Sequence, residues 1–163
     1  MKVFLVRHGD ADAEIPEGLG DEARALTTKA RHAIVTHFLG LADRVDHVNL
    51  LLTSPLVRTV QTAQLLATTL KFEAPLRTHR SLLPEMPVGA IESVLAEHSG
   101  DNLVLVGHQP SMGAMAAHLL GLQSFPRPVN PGTVIGLEKS ETPDTLAKLL
   151  FYAAPGQPVL EVL

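Results

Sequence analysis

At 163 residues, 45% hydrophobic and 18% charged, the chain reads as one globular domain over residues 1–163 and not as a disordered segment. Its net charge of −4 argues against a broad nucleic-acid footprint but leaves room for a small cationic pocket. It has no cysteine, which excludes disulfides, thiolate metal sites and a cysteine nucleophile. The N-terminal apolar run is too short for a signal peptide, and no run approaches the roughly 18 apolar residues of a membrane span. These features predict a cytoplasmic protein.

The first predicted strand, Val3 to Val6, runs straight into Arg7-His8-Gly9. The connection from Gly9 to Leu26 exceeds the usual length of about 2–6 residues and carries Asp10, Asp12, Glu14, Glu17, Asp21 and Glu22. Because it leaves directly from the histidine, it is expected to rim any site there. Thr27 to Leu39 reads as a helix with Ala30, Ile34, Val35 and Phe38 on one face. His47 to Thr53 is a second strand. Ser54 as N-cap and Pro55 at the first helical position then predict a helix to about Leu70. Pro75 to His79 is a short strand and Val88 to His98 a helix. Leu103 to Val106 is an unbroken apolar strand, expected to be buried on both faces. Pro110-Ser111 opens a helix that ends near Leu120-Gly121. Thr133 to Glu138 and Ala147 to Tyr152 read as closing strands. This alternation predicts an α/β fold with three α/β/α layers and a mostly parallel central sheet.

Two histidines leave the carboxyl ends of two strands: His8 after the first, and His108, in Gly107-His108-Gln109-Pro110, after Leu103–Val106. In a parallel sheet those ends share one edge, so residues distant in sequence can meet there. Arg7 stands beside His8. Arg58 lies in the first turn of the helix after the second strand. A cation there opposes the helix dipole, which indicates another purpose: a bidentate grip on phosphate, where the helix N-terminus also attracts anions. Glu85, in Leu82-Leu83-Pro84-Glu85, adds a carboxylate in the loop after the third strand. Taken singly, each of these residues is more often structural or solvated; their joint placement at strand ends argues for a site. His32, His37, His47, His79, His98 and His118 lack that context. Val106 to Gly113 is not a nucleophile elbow, because Gln109 stands where the serine is required. Gly18-Leu19-Gly20 follows no strand and is no dinucleotide fingerprint.

The ordered set of Arg7-His8-Gly9-Asp10-Ala11, Ser54-Pro55 with Arg58, Thr62 and Ala63, and Gly107-His108-Gln109-Pro110 resembles the motifs of the histidine phosphatase superfamily, which includes the phosphoglycerate mutases. It resembles most the small bacterial branch of SixA-type phosphohistidine phosphatases. Asp21, Arg24, Leu26 and Thr27 resemble that family's segment before the first helix. The chain departs from the pattern at Asp10-Ala11, where many relatives carry Glu-Thr, and at Ala30, where a glycine is common; neither change removes a reacting group.

The resemblance implies a phosphoglycerate mutase-like fold and a nucleophilic His8 that forms a phosphohistidine intermediate. Arg7, Arg58 and His108 would hold the phosphoryl oxygens. It implies neither metal nor cofactor. Larger relatives carry a carboxylate near Glu85 that protonates the leaving oxygen, which makes Glu85 the candidate acid. An imidazole leaving group needs that proton less, so water positioning or a structural role stays open for Glu85. Between His79 and Asn102 there is room for one short helix, so the site is expected to be open. That favours a phosphorylated histidine-containing protein as partner. A phosphorylated small molecule, or a silent phosphate-binding module, is the alternative.

Overall fold

In the computed structural model, which describes residues 1–142 and 144–163, strands and helices alternate along most of the chain. The elements run β1 (Lys2–Arg7), α1 (Thr28–Leu39), β2 (Leu50–Thr53), α2 (Val57–Thr69), β3 (Leu76–Thr78), α3 (Val88–Glu97), β4 (Leu103–Gly107), α4 (Ser111–Leu120), β5 (Val134–Glu138) and β6 (Lys148–Ala153). The strands form one six-stranded sheet in the order β3-β2-β4-β1-β5-β6. β1 to β4 are mutually parallel; β5 and β6 close the sheet antiparallel.

Strand periodicity assigns each side chain to one of two cores. Val3, Leu5, Leu103 and Leu105 point to the face covered by α3 and α4, against Ile91, Val94, Met112 and Met115. Phe4, Val6, Val104 and Val106 point to the opposite face, against Ile34 and Phe38 of α1 and Ala63 and Leu66 of α2. This two-sided burial explains the unbroken apolar runs of β1 and β4. The outcome is the three-layer α/β/α arrangement with a mostly parallel sheet.

The element boundaries depart from the sequence reading in instructive places. β2 begins at Leu50, because His47 adopts a left-handed φ of 51° that breaks the extended chain. Thr27 is an N-cap, its side chain accepting from Ala30 N–H at 2.9 Å. Ser54 is not the cap of α2. Its N–H donates to Val106 O at 3.0 Å, so Ser54 still follows β2, and the cap position falls on Leu56, which offers no side-chain acceptor. α3 stops at Glu97, one residue before His98.

The register places the carboxyl ends of β1, β2 and β4 side by side. Arg7 pairs with Gly107 and Thr53 with Val106. His8 N–H then donates to Gly107 O at 3.1 Å, which brings the residue after β1 alongside the residue after β4.

Candidate active site

His8 and His108 meet at this edge with ring centroids 5.2 Å apart and an edge-to-face arrangement. His8 Nδ1 lies 2.6 Å from the carbonyl oxygen of Gly9. A carbonyl can only accept, so Nδ1 carries the proton and Nε2 is left with a free lone pair. Burial, opposed by the Gly9 contact and reinforced by Arg58, Arg7 and Arg24, lowers the His8 pKa to about 4. Burial, together with His8, Arg58 and Arg7, lowers that of His108 to about 3. Both rings are therefore neutral at pH 7.

Gly9 serves by packing, not by a special turn. Its φ is not left-handed, but a Cβ there would run into Ile34 Cδ1 and Leu26 Cδ2. That close approach lets the chain pass under α1 while Gly9 N–H donates to Thr62 Oγ1 at 3.0 Å. Thr62 Oγ1 in turn donates to the Arg58 carbonyl at 2.8 Å, tying the His8 loop to the start of α2.

Each arginine is gripped at its tip and free at Nε. Arg7 Nη1 donates to Val129 O at 2.8 Å. Arg58 is only 6% exposed; its Nη1 donates to Asp21 O and its Nη2 to Asp21 Oδ2, both at 3.1 Å. The Nε–H groups of Arg7 and Arg58 are buried without a partner among the described residues. A buried orphan donor is costly. Both arginines lie close enough for their charge to act on the two neutral histidines, so the cluster is cationic and suited to an anion.

Asp21 is the residue whose function sequence reasoning does not reach. Its other oxygen, Oδ1, accepts from Arg24 Nε at 2.7 Å, so one carboxylate bridges both arginines. Those contacts, Arg24 foremost, hold the Asp21 carboxyl below the usual carboxylate range. The acidic connection is thus a tethered strap. A short 3-10 helix covers Asp21–Ala23, Asp12 N–H donates to Ala25 O at 2.8 Å, and Leu26 N–H donates to Gln61 Oε1 of α2 at 2.8 Å. The Asp-x-x-Arg spacing is the one signal of this bridge visible in the sequence. Ser54, expected to cap α2, instead belongs to the pocket, with its Oγ 2.8 Å from His108 Nε2.

Glu85 stands apart. It is exposed, sits in a turn with φ 65°, and makes no hydrogen bond or ion pair to the four pocket residues. Between β3 and β4 the chain forms a 3-10 helix at Arg80–Leu82 and then α3, with no larger insertion. Beside the pocket runs a groove of about 490 Å³. Its walls include Gln109, next to His108, and Val129, whose carbonyl holds Arg7. Among the described residues no group of three or more His, Cys, Asp or Glu could hold a metal ion, and no helix is long and apolar enough to cross a membrane.

Comparison with known proteins gives a consistent picture. The model of the histidine phosphatase superfamily (branch 1) matches residues 3–94. An uncharacterised protein of Picosynechococcus sp. is 37% identical over 123 residues, covering 71% of each chain. Among solved structures, the protein histidine phosphatase SixA complexed with tungstate superposes with a TM-score of 0.84 at 22% identity, covering 95% of this chain and 97% of that one. A mycobacterial glucosyl-3-phosphoglycerate phosphatase gives 0.64 at 16% identity, with coverage of 91% and 96%. At such identities the two superpositions speak for the fold.

Proposed function

The chain belongs to the histidine phosphatase superfamily (branch 1), and from that premise we propose that it removes the phosphoryl group from phosphohistidine on a phosphotransfer protein by way of His8. The observation that carries this reading is the His8 Nδ1–Gly9 O contact of 2.6 Å, which leaves a neutral Nε2 facing a pocket of two arginines. In the first step Nε2 attacks phosphorus while the bond from phosphorus to the substrate's imidazole nitrogen breaks. In the second, water attacks the His8 phosphoramidate, releasing inorganic phosphate and restoring the lone pair. Arg7, Arg58 and His108 donate to the phosphoryl oxygens throughout. Phosphoryl transfer depends chiefly on such positioning and charge stabilisation.

The choice of leaving group rests on Glu85 and on the shortness of the β3–β4 segment. An alcohol leaving as alkoxide needs a well-placed acid, whereas an imidazole leaves readily and can already carry a proton. Glu85 is exposed and unattached to the pocket, which suits the imidazole. The short β3–β4 segment, which carries only a 3-10 turn and α3, supports a phosphate carried on a protein side chain over an enclosed metabolite. The groove beside His108 gives the flanking residues of that partner a surface to rest on. A small phosphoester is the second reading, favoured by the likeness in fold to a mycobacterial phosphatase of a sugar-linked phosphoglycerate.

The test compares wild type with His8→Ala on a phosphorylated histidine-containing carrier protein and on sugar phosphates. Wild type is expected to prefer the carrier, and His8→Ala to lose turnover by at least about 10³-fold. Undiminished turnover in His8→Ala overturns the role of His8. A preference for sugar phosphates that collapses in Glu85→Gln transfers the proposal to the ester.

A further inference from the structure

His108 must present a proton to a phosphoryl oxygen, and as a neutral ring it has one proton to place on two nitrogens. Its Nε2 is 2.8 Å from Ser54 Oγ. Ser54 is fully buried. Leu56 N–H donates to that same Oγ at 3.4 Å, so the oxygen already accepts there. The hydroxyl proton then needs an acceptor of its own. Among the described residues, Nε2 of His108 is the acceptor in contact with it. Were Nε2 itself protonated, Ser54 would accept twice and its own proton would be stranded away from water, an arrangement folded proteins avoid.

We infer that Ser54 is a positioning residue for the reaction: by donating to His108 Nε2 it locks the neutral ring as the Nδ1–H tautomer and so aims a donor at the phosphoryl group. His108 Nδ1 makes no hydrogen bond among the described residues, consistent with a donor reserved for a ligand. Burial and the neighbouring cations keep the ring from relieving the choice by taking a second proton. Ser54 is itself held on three sides. Its N–H donates to Val106 O at 3.0 Å, and its carbonyl accepts from Thr53 Oγ1 at 3.1 Å and Thr59 Oγ1 at 2.8 Å. Neighbouring groups thereby set the two histidines to opposite roles. A carbonyl accepts from Nδ1–H of His8 and frees Nε2 to attack, while a hydroxyl donates to Nε2 of His108 and leaves Nδ1–H to donate.

This inference rests on the pocket being a phosphoryl site, but its first measurement does not. Long-range ¹H–¹⁵N correlation spectra of the wild-type protein at pH 7 are expected to show His108 as the Nδ1–H tautomer, and the Nε2–H tautomer there overturns the proposal. In Ser54→Ala the Nε2–H form is expected to appear, with kcat falling on the order of 10²-fold, the scale for loss of one preorganised donor. Ser54→Thr, which keeps the hydroxyl, is expected to recover the Nδ1–H form and much of that rate. An unchanged His108 tautomer in Ser54→Ala also overturns it. Should Ser54→Ala not fold, the wild-type spectrum decides. Absence of phosphatase activity in wild type counts against the proposed function and leaves the tautomer result standing.

Discussion

His8 and His108 titrate far from where a free imidazole does, and the consequence runs through both activity and stability. Their pKa values are lowered to about 4 and about 3 from 6.5, chiefly by burial. In the unfolded chain these rings take up protons as pH drops below about 6.5; in the folded chain they do so only near 4 and 3. Between those limits the unfolded state binds more protons, so stability falls as pH falls and is unaffected by these groups above about 7. An NMR titration is expected to find both rings neutral at pH 5.5; a midpoint for either at or above 6.5 contradicts the assigned environment. Arg7 and Arg58 are preorganised in a similar way. Each is anchored through its terminal nitrogens, so its guanidinium is held in place by the fold itself.

At the scale of elements, the segment from Gly9 to Leu26 and the start of α2 work as one unit. The acidic residues of that segment suggest a solvated rim, and all six are exposed. Asp21 is the exception in function: it joins Arg58 to Arg24. Its bond to Arg58 lies within a partly buried setting, where a charge-assisted contact is worth more than at an open surface. Asp21→Asn is expected to raise KM about 10-fold with a smaller loss in kcat, because the asparagine holds Arg58 more weakly without touching the reacting atoms. An unchanged KM in steady-state assays shows that Arg58 is positioned without it. The start of α2 is legible in the sequence as a helix N-terminus, but Ser-Pro marks it two residues too early, since the cap is Leu56. Ser and Pro are common signals for that position; here the serine hydroxyl is committed to His108. The competing partner comes from another strand, which no local pattern reveals.

For the molecule as a whole, the sheet is the device that gathers the site. β1, β2 and β4 lie adjacent and parallel, so residues 8, 54 and 108 emerge at one edge. Leu105 sits at the centre of that arrangement, fully buried between Leu5 and Leu52 in register. Leu105→Ala is expected to cost about 2–5 kcal/mol in chemical denaturation. Because its side chain belongs to the apolar cluster under α3 and α4, its activity per folded molecule should stay within about 3-fold of wild type. A larger loss in activity than in folded fraction shows that the strand ends move when the core relaxes.

The sequence by itself determined the α/β class and the buried strands β1 and β4, and it nominated Arg7, His8, Arg58 and His108, of which the structure brings the two histidine rings within 5.2 Å of each other. These were legible because apolar periodicity and strand-end motifs are local, and because parallel strands share a carboxyl edge whatever their exact order. Tertiary structure alone decided the rest: the strand order, the Gly9 carbonyl that selects the His8 tautomer, the Asp21 bridge, the contact of Ser54 with His108, and the exposure of Glu85. Each of these depends on the distance and direction between groups remote in sequence, or on which of several acceptors wins a single proton. Residue type and spacing do not encode such a choice; it is made only when the chain has closed around the site.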